Sequence, residues 1–250
     1  GMSSSTRAVF AGGNDRSAGN DSNHIDYVSF STGGTAADFG DCVAQFAKMG
    51  GASNGTYGGI FQGNQAGVST NTIQRITIAS TGNATDQADA HSFASEVASC
   101  GNTTYALTAG GRNTSSVAVN IINRATWPSL SDDTDFGDLT VSRYDLAAAS
   151  SSTRAVFAGG SPAAGGNVID YVTIATAGNA TDFGDLSYSR NNISGVSNKI
   201  TAVFSENNFI KTMDSVTIAS TGNATDFGDM VNFMRGTMPL PASDSHGGLS

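Results

Sequence analysis

The sequence predicts an all-β protein: a five-bladed β-propeller of four-stranded antiparallel blades, closed by a C-terminal strand that pairs in the first blade. Three observations carry this. The text repeats itself: RAVFAGG occurs at Arg7–Gly13 and Arg154–Gly160, and VTIATAGNATDFGD at Val172–Asp185 returns as VTIASTGNATDFGD at Val216–Asp229. Fixed-period self-similarity is the signature of a repeat fold. Taking the Asp of DFGD as a ruler, Asp38, Asp86, Asp135, Asp182 and Asp226 follow one another at spacings of 48, 49, 47 and 44 residues. Such spacings are blade-sized. Composition agrees: only 13% of the 250 residues are charged and 31 are Gly, so strands joined by turns fit better than helices.

The units run over about 6–41, 45–89, 94–138, 144–185 and 192–229. Each shows three clear strands. The first, strand b, ends in small residues, as in RAVFAGG or TYALTAGG from Thr104. The second, strand c, alternates. In IDYVTI, Ile169, Tyr171 and Thr173 share one face while Asp170, Val172 and Ile174 take the other. The third, strand d, is the short TDFGD. Between c and d lies a polar Gly-Asn turn that tolerates positive φ. A fourth strand, a, is expected in the bland stretches Gly50–Asn54, Ala94–Cys100 and Ala147–Ser152. Their small residues suit strands that converge on a narrow axis. The first unit opens almost directly on strand b, and 238–245 falls at the phase of strand a, so this segment is expected to complete the first blade and remove two sheet edges.

A net charge of −9 gives no electrostatic footprint for nucleic acid or an anionic membrane. No run of about 18 apolar residues is present, so membrane insertion is not expected. Cys42 and Cys100 fall at different phases and read as buried free thiols, with no metal-ligand spacing. No metal or other cofactor is implied. The repeated carboxylates of DFGD read as turn formers, and the repeated Asn-x-Thr at Asn83, Asn179 and Asn223 as the same turn. Phe39, Phe136, Phe183 and Phe227 read as packing between blades, and Trp127 as a packing substitute for Ile.

The order Gly159-Gly160, Tyr171, Phe183, Arg190, repeated as Gly110-Gly111, Phe136, Arg143, resembles kelch-type propeller repeats, with Phe where kelch has Trp. The GNATDFGDL wording is also similar to tandem repeats in structural and tail-fibre-like proteins of marine bacteriophages and in ocean metagenomic sequence. The resemblance implies a scaffold, with virion assembly partners among the expectations. It also implies that the b–c and d–a connections share the face around the mouth of the central channel.

Function is expected where the units disagree. In the second unit Gln62 precedes Gly63 and Asn64 replaces the second Gly; in the last, Glu206 and Asn207 replace the pair. One face then carries Asp15, Arg16, Gln62, Asn64, Arg112, Arg143, Arg190 and Glu206, a polar set suited to a glycan or protein ligand. The leading expectation is a non-catalytic recognition or structural module. The alternative is a glycoside-processing enzyme, which needs two carboxylates about 5–9 Å apart. Glu96 and Asp145, near inner strands of two units, could supply such a pair, though no catalytic signature surrounds them.

Overall fold

The computed structural model describes residues 1–15, 20–131, 133–162, 165–206 and 211–231. They form five four-stranded antiparallel sheets, the blades of a five-bladed β-propeller. Blade 1 holds β1 (Met2–Ser3), β2 (Arg7–Asp15), β3 (Asn20–Ser29) and β4 (Ala37–Phe46). Blade 2 holds β5 (Gly50–Ser53), β6 (Tyr57–Gln65), β7 (Val68–Thr77) and β8 (Thr85–Ala94). Blade 3 holds β9 (Ala98–Gly101), β10 (Tyr105–Ala109), β11 (Ile121–Thr126) and β12 (Thr134–Asp138). Blade 4 holds β13 (Ala147–Ser150), β14 (Arg154–Ala158), β15 (Val168–Thr173) and β16 (Thr181–Asp185). Blade 5 holds β17 (Ile193–Ser197), β18 (Thr201–Glu206), β19 (Thr212–Thr217) and β20 (Thr225–Asp229).

The inner place of blade 1 differs from expectation. Beside β2 sits β1, with Met2 opposite Val9 and Ser3 opposite Ala8. The reason lies in the text: SSSTRAVFAGG at Ser3–Gly13 repeats Ser150–Gly160, so the end of strand a was already present at the start of the chain. Residues 238–245, expected there, lie outside the described residues.

The inner strands are small because they must approach closely. A Cβ on Gly195 would meet the Ala148 carbonyl oxygen at 2.8 Å. Hydroxyls pin neighbouring strands: Ser150 Oγ donates to the Gly101 carbonyl at 2.7 Å, and Ser197 Oγ to the Ser150 carbonyl at 2.9 Å.

The core lies between blades. Separate apolar clusters fill the 1/2, 2/3, 3/4 and 4/5 interfaces; at 3/4, Leu107, Ile122 and Phe136 of blade 3 meet Ala148, Phe157 and Ile174 of blade 4. Strand c serves two interfaces, as its alternation predicts: Ile169 packs toward blade 5 and Val172 toward blade 3.

A backbone latch joins the outer edges. Gly178 and Ala180 N–H donate to the carbonyls of Phe136 and Asp138, both at 2.8 Å, and Asn179 Oδ1 accepts the Asp138 N–H at 3.1 Å. The same three bonds join Phe39–Asp41 to Gly82–Ala84, and Phe183–Asp185 to Gly222–Ala224. This is why GNA and FGD recur together: each is half of one interface. Where blade 2 has Gln87-Ala88 for Phe-Gly, blade 3 has Trp127-Pro128 in its turn, so both halves changed. Trp127 is buried in the 2/3 cluster, the packing role expected for it.

Candidate functional site

The d–a and b–c connections meet at one end of the channel. Ala47 pairs with Asn64, Ser95 with Arg112 and Tyr144 with Ser161 as short antiparallel bridges. Each bridge positions the residues immediately after it: Lys48, Glu96 and Asp145, with Asn192 at the same phase of blade 5. All four have left-handed backbones, with φ of 57°, 60°, 54° and 49°. Side-chain-bearing residues adopt that conformation at a cost of about 1 kcal/mol or more, so its recurrence at one phase is imposed by the scaffold. Backbone bonds tie successive members: Glu96 N–H donates to the Lys48 carbonyl at 2.9 Å, and Asp145 N–H to the Glu96 carbonyl at 3.1 Å.

The result is a polar arc of four side chains, one before each of β5, β9, β13 and β17: an ammonium, two carboxylates and an amide. Glu96, Asp145 and Asn192 line a cavity of about 40 Å³ together with Met49, Ser99, Leu146 and Ile193, and Lys48 joins them through Glu96. Glu96 is buried and doubly compensated. Lys48 Nζ donates to its Oε1, and Arg112 Nε lies 3.2 Å from its Oε2. The guanidinium carbon of Arg112 lies over the Tyr144 ring, 3.7 Å from its centroid. Asp145 is different. Desolvation first, and the charge of Glu96 second, push its carboxyl up to about 6, against the opposing pull of Lys48 and Arg112.

Because the folded pKa is raised, folding holds the proton more tightly than the unfolded chain does. That contribution is full below the ordinary value of 3.8 and is lost as pH rises through about 6. Asp145→Asn should therefore match the parent chain near pH 4 and exceed it at pH 8 by about 1–3 kcal/mol. Paired urea titrations at the two pH values check this; equal differences at both would contradict it.

Of the residues expected at the mouth, Arg112 is there and touches Glu96, and Asn64 lies beside it, its Oδ1 accepting the Gly67 N–H at 2.8 Å. Gln62 is buried. It occupies the first-glycine position, one residue earlier than the sequence register gave, with φ 53° where Gly110 and Gly159 have 66° and 64°. Its Nε2 donates to the Ser92 carbonyl at 2.6 Å.

Arg143 and Arg190 lie inside the blades. Their guanidinium groups pair with Asp170 at 2.7 Å and Asp214 at 2.8 Å, and all four side chains are fully enclosed. Arg143 also donates to the carbonyls of Phe157, Gly159 and Val168. The side chains of Asp15 and Glu206, and all of Arg16, lie outside the described residues.

Sequence reasoning singled out Glu96 and Asp145 but missed Lys48 and Asn192 as their partners. The signal was their place just before strand a: Lys48, Glu96 and Asp145 stand two residues before β5, β9 and β13, and Asn192 one before β17. Among the described residues no group of three His, Cys, Asp or Glu side chains is placed to hold a metal ion, and Cys42 and Cys100 are buried free thiols. No family model matches this chain, and no curated protein matches it.

Proposed function

We propose that the protein is a recognition module that seats a small polar group of a glycan at the axial mouth, as part of a larger structural assembly. The observation that carries this reading is the set of Glu96, Asp145 and Asn192 lining the cavity, with Lys48 paired to Glu96. Size decides what can enter. A cavity of about 40 Å³ has room for two or three water-sized groups. Drug-sized ligands need about 300–1,000 Å³. A projecting hydroxymethyl or hydroxyl pair fits; a whole sugar ring does not. The carboxylate, amide and backbone groups offer both donors and acceptors to such hydroxyls. The resemblance of the repeat wording to phage structural proteins supports a place in a virion, where a glycan at a cell surface is the natural ligand.

Glycoside processing is the second reading. The observation in its favour is Asp145, raised to about 6 beside a second carboxylate. Against it stands Glu96, whose charge is already balanced by Lys48 and Arg112. A glycan array separates the two. Recognition predicts binding without product release, weakened at least tenfold by Asp145→Asn. Processing predicts released sugar that disappears in both Asp145→Asn and Glu96→Gln. No binding by the intact chain to any glycan would end the first reading.

A further inference from the structure

The axial cavity is layered along the chain. In blades 2 to 5 the inner strand runs inward from the mouth, and the same phases line the opening in turn. First come Glu96, Asp145 and Asn192, a polar rim. Next come Met49, Val97, Leu146 and Ile193, an apolar waist. Two residues further in, one phase lines the cavity from all four blades. It holds Gly51 opposite Ile60, Ser99 opposite Thr108, Ala148 opposite Phe157 and Gly195 opposite Phe204. Three of these four carry no polar side chain. Ser99 alone brings a hydroxyl.

The fold gives that hydroxyl nothing to do. Ser99 is 4% exposed, and its Oγ has no hydrogen-bond partner among the described residues. Ser150 and Ser197, also on inner strands, each donate to a neighbouring strand. Burying a hydroxyl without a partner is costly. Room is nevertheless kept for it: a Cβ on Gly50 would collide with Ser99 Oγ. The floor of the cavity therefore holds a donor for an incoming group. At the rim, Asn192 spends its Nδ2 on Asn191 Oδ1 at 3.0 Å, which leaves its carbonyl oxygen as an acceptor.

A ligand group must join acceptors at the rim to a donor at the floor, past a hydrocarbon wall. Ser99 stands three residues after Glu96, at most about 10 Å of extended chain. A lone hydroxyl bridges partners about 5–6 Å apart. A trans amide, with N–H at one end and C=O at the other, bridges about 8 Å. An amide that ends in a methyl also gives the waist an apolar group to bury. Methyl, carbonyl carbon and carbonyl oxygen together fall within what a cavity of about 40 Å³ admits.

We propose that the group seated at the mouth is the acetamido group of an N-acetylated sugar. Its carbonyl accepts from Ser99 Oγ, its N–H donates to Asp145, and its methyl lies against Leu146 and Ile193. The Asn192 oxygen is left for a hydroxyl of the ring, which stays outside. This rests on the recognition reading above and narrows it to one ligand class.

The test uses the full chain at pH 8, where the Asp145 carboxyl is ionised. The probes are the methyl glycosides of N-acetylglucosamine, N-acetylgalactosamine, glucose and galactose, with N-acetyl-lysine beside them. Calorimetry and saturation-transfer NMR read the binding. An N-acetylated sugar should bind about tenfold or more tightly than its parent sugar, with saturation strongest at the acetyl methyl. Ser99→Ala should weaken it about fivefold or more and leave the melting temperature unchanged, since the hydroxyl bonds nothing in the fold. Equal binding of acetylated and parent sugars, binding of neither beside a positive glycan array, or full affinity in Ser99→Ala would overturn the proposal and leave the recognition reading standing. Tighter binding of N-acetyl-lysine would overturn it by assigning the opening to a protein. Binding to no glycan at all would end the reading on which it rests.

Discussion

Arg143→Ala is expected to lower stability by about 3–5 kcal/mol, a fall of about 10 °C in a domain this size. Asp170 is 0% exposed, and its carboxylate would keep only the Thr140 N–H and hydroxyl, at 3.2 and 2.6 Å. The carbonyls of Phe157, Gly159 and Val168 would lose a donor at the same time. An uncompensated buried charge, rather than the loss of a favourable contact, sets the size of the effect. The double substitution Arg143→Ala with Asp170→Asn should recover most of the loss, because it writes the Ala94 and Asn123 solution of the 2/3 interface into the 3/4 interface. Thermal melts of the three variants check this. A double variant as unstable as the single one would show that the guanidinium matters for its carbonyl bonds instead.

The second large effect is expected at Gly184. Its φ is +143°, and an added Cβ would stand 2.5 Å from the carbonyl carbon and oxygen of Gly222 across the 4/5 latch. Gly222 has φ +155° with nothing within 4 Å of its own added Cβ. Gly222→Ala therefore carries only backbone strain, about 1–2 kcal/mol. Gly184→Ala carries similar strain and must also push two backbones apart, for a total of about 3–4 kcal/mol. Denaturant melts of the two variants isolate the interblade contact. Equal losses would mean that the latch yields without resistance.

Blade number, strand order and the two faces of strand c could be read from the text, because repetition fixes phase and alternation fixes direction. Ile169 and Val172 show this: three residues apart, they serve different interfaces, as their spacing dictates. The latch was half legible. Asn179 could be recognised as a turn residue, but that its Oδ1 accepts an amide from the preceding blade could not, since sequence does not show which repeat sits beside which turn. Arg143 and Arg190 misled for a related reason. An arginine in a connection reads as surface unless its buried partner is known, and Asp170 looked like an ordinary polar residue on an alternating strand. At the site, Glu96 and Asp145 stood out because Glu is rare here and both precede strand a. Lys48 and Asn192 did not: Lys has no left-handed preference to mark it, and an Asn, which does tolerate positive φ, reads first as one more turn residue. The start of the chain shows the opposite case: the inner strand Met2–Ser3 is legible only from the match of Ser3–Gly13 to Ser150–Gly160, because two residues carry no strand pattern of their own.

The arc at the mouth has a consequence for how such a protein could diversify. Blades 2 to 5 each place one side chain at the mouth from a backbone that is fixed elsewhere, by latch and core. A single codon at position 48, 96, 145 or 192 could therefore change what the opening accepts while leaving the architecture untouched. Related chains built this way should differ at those letters first, like tumblers reset within one unchanged lock.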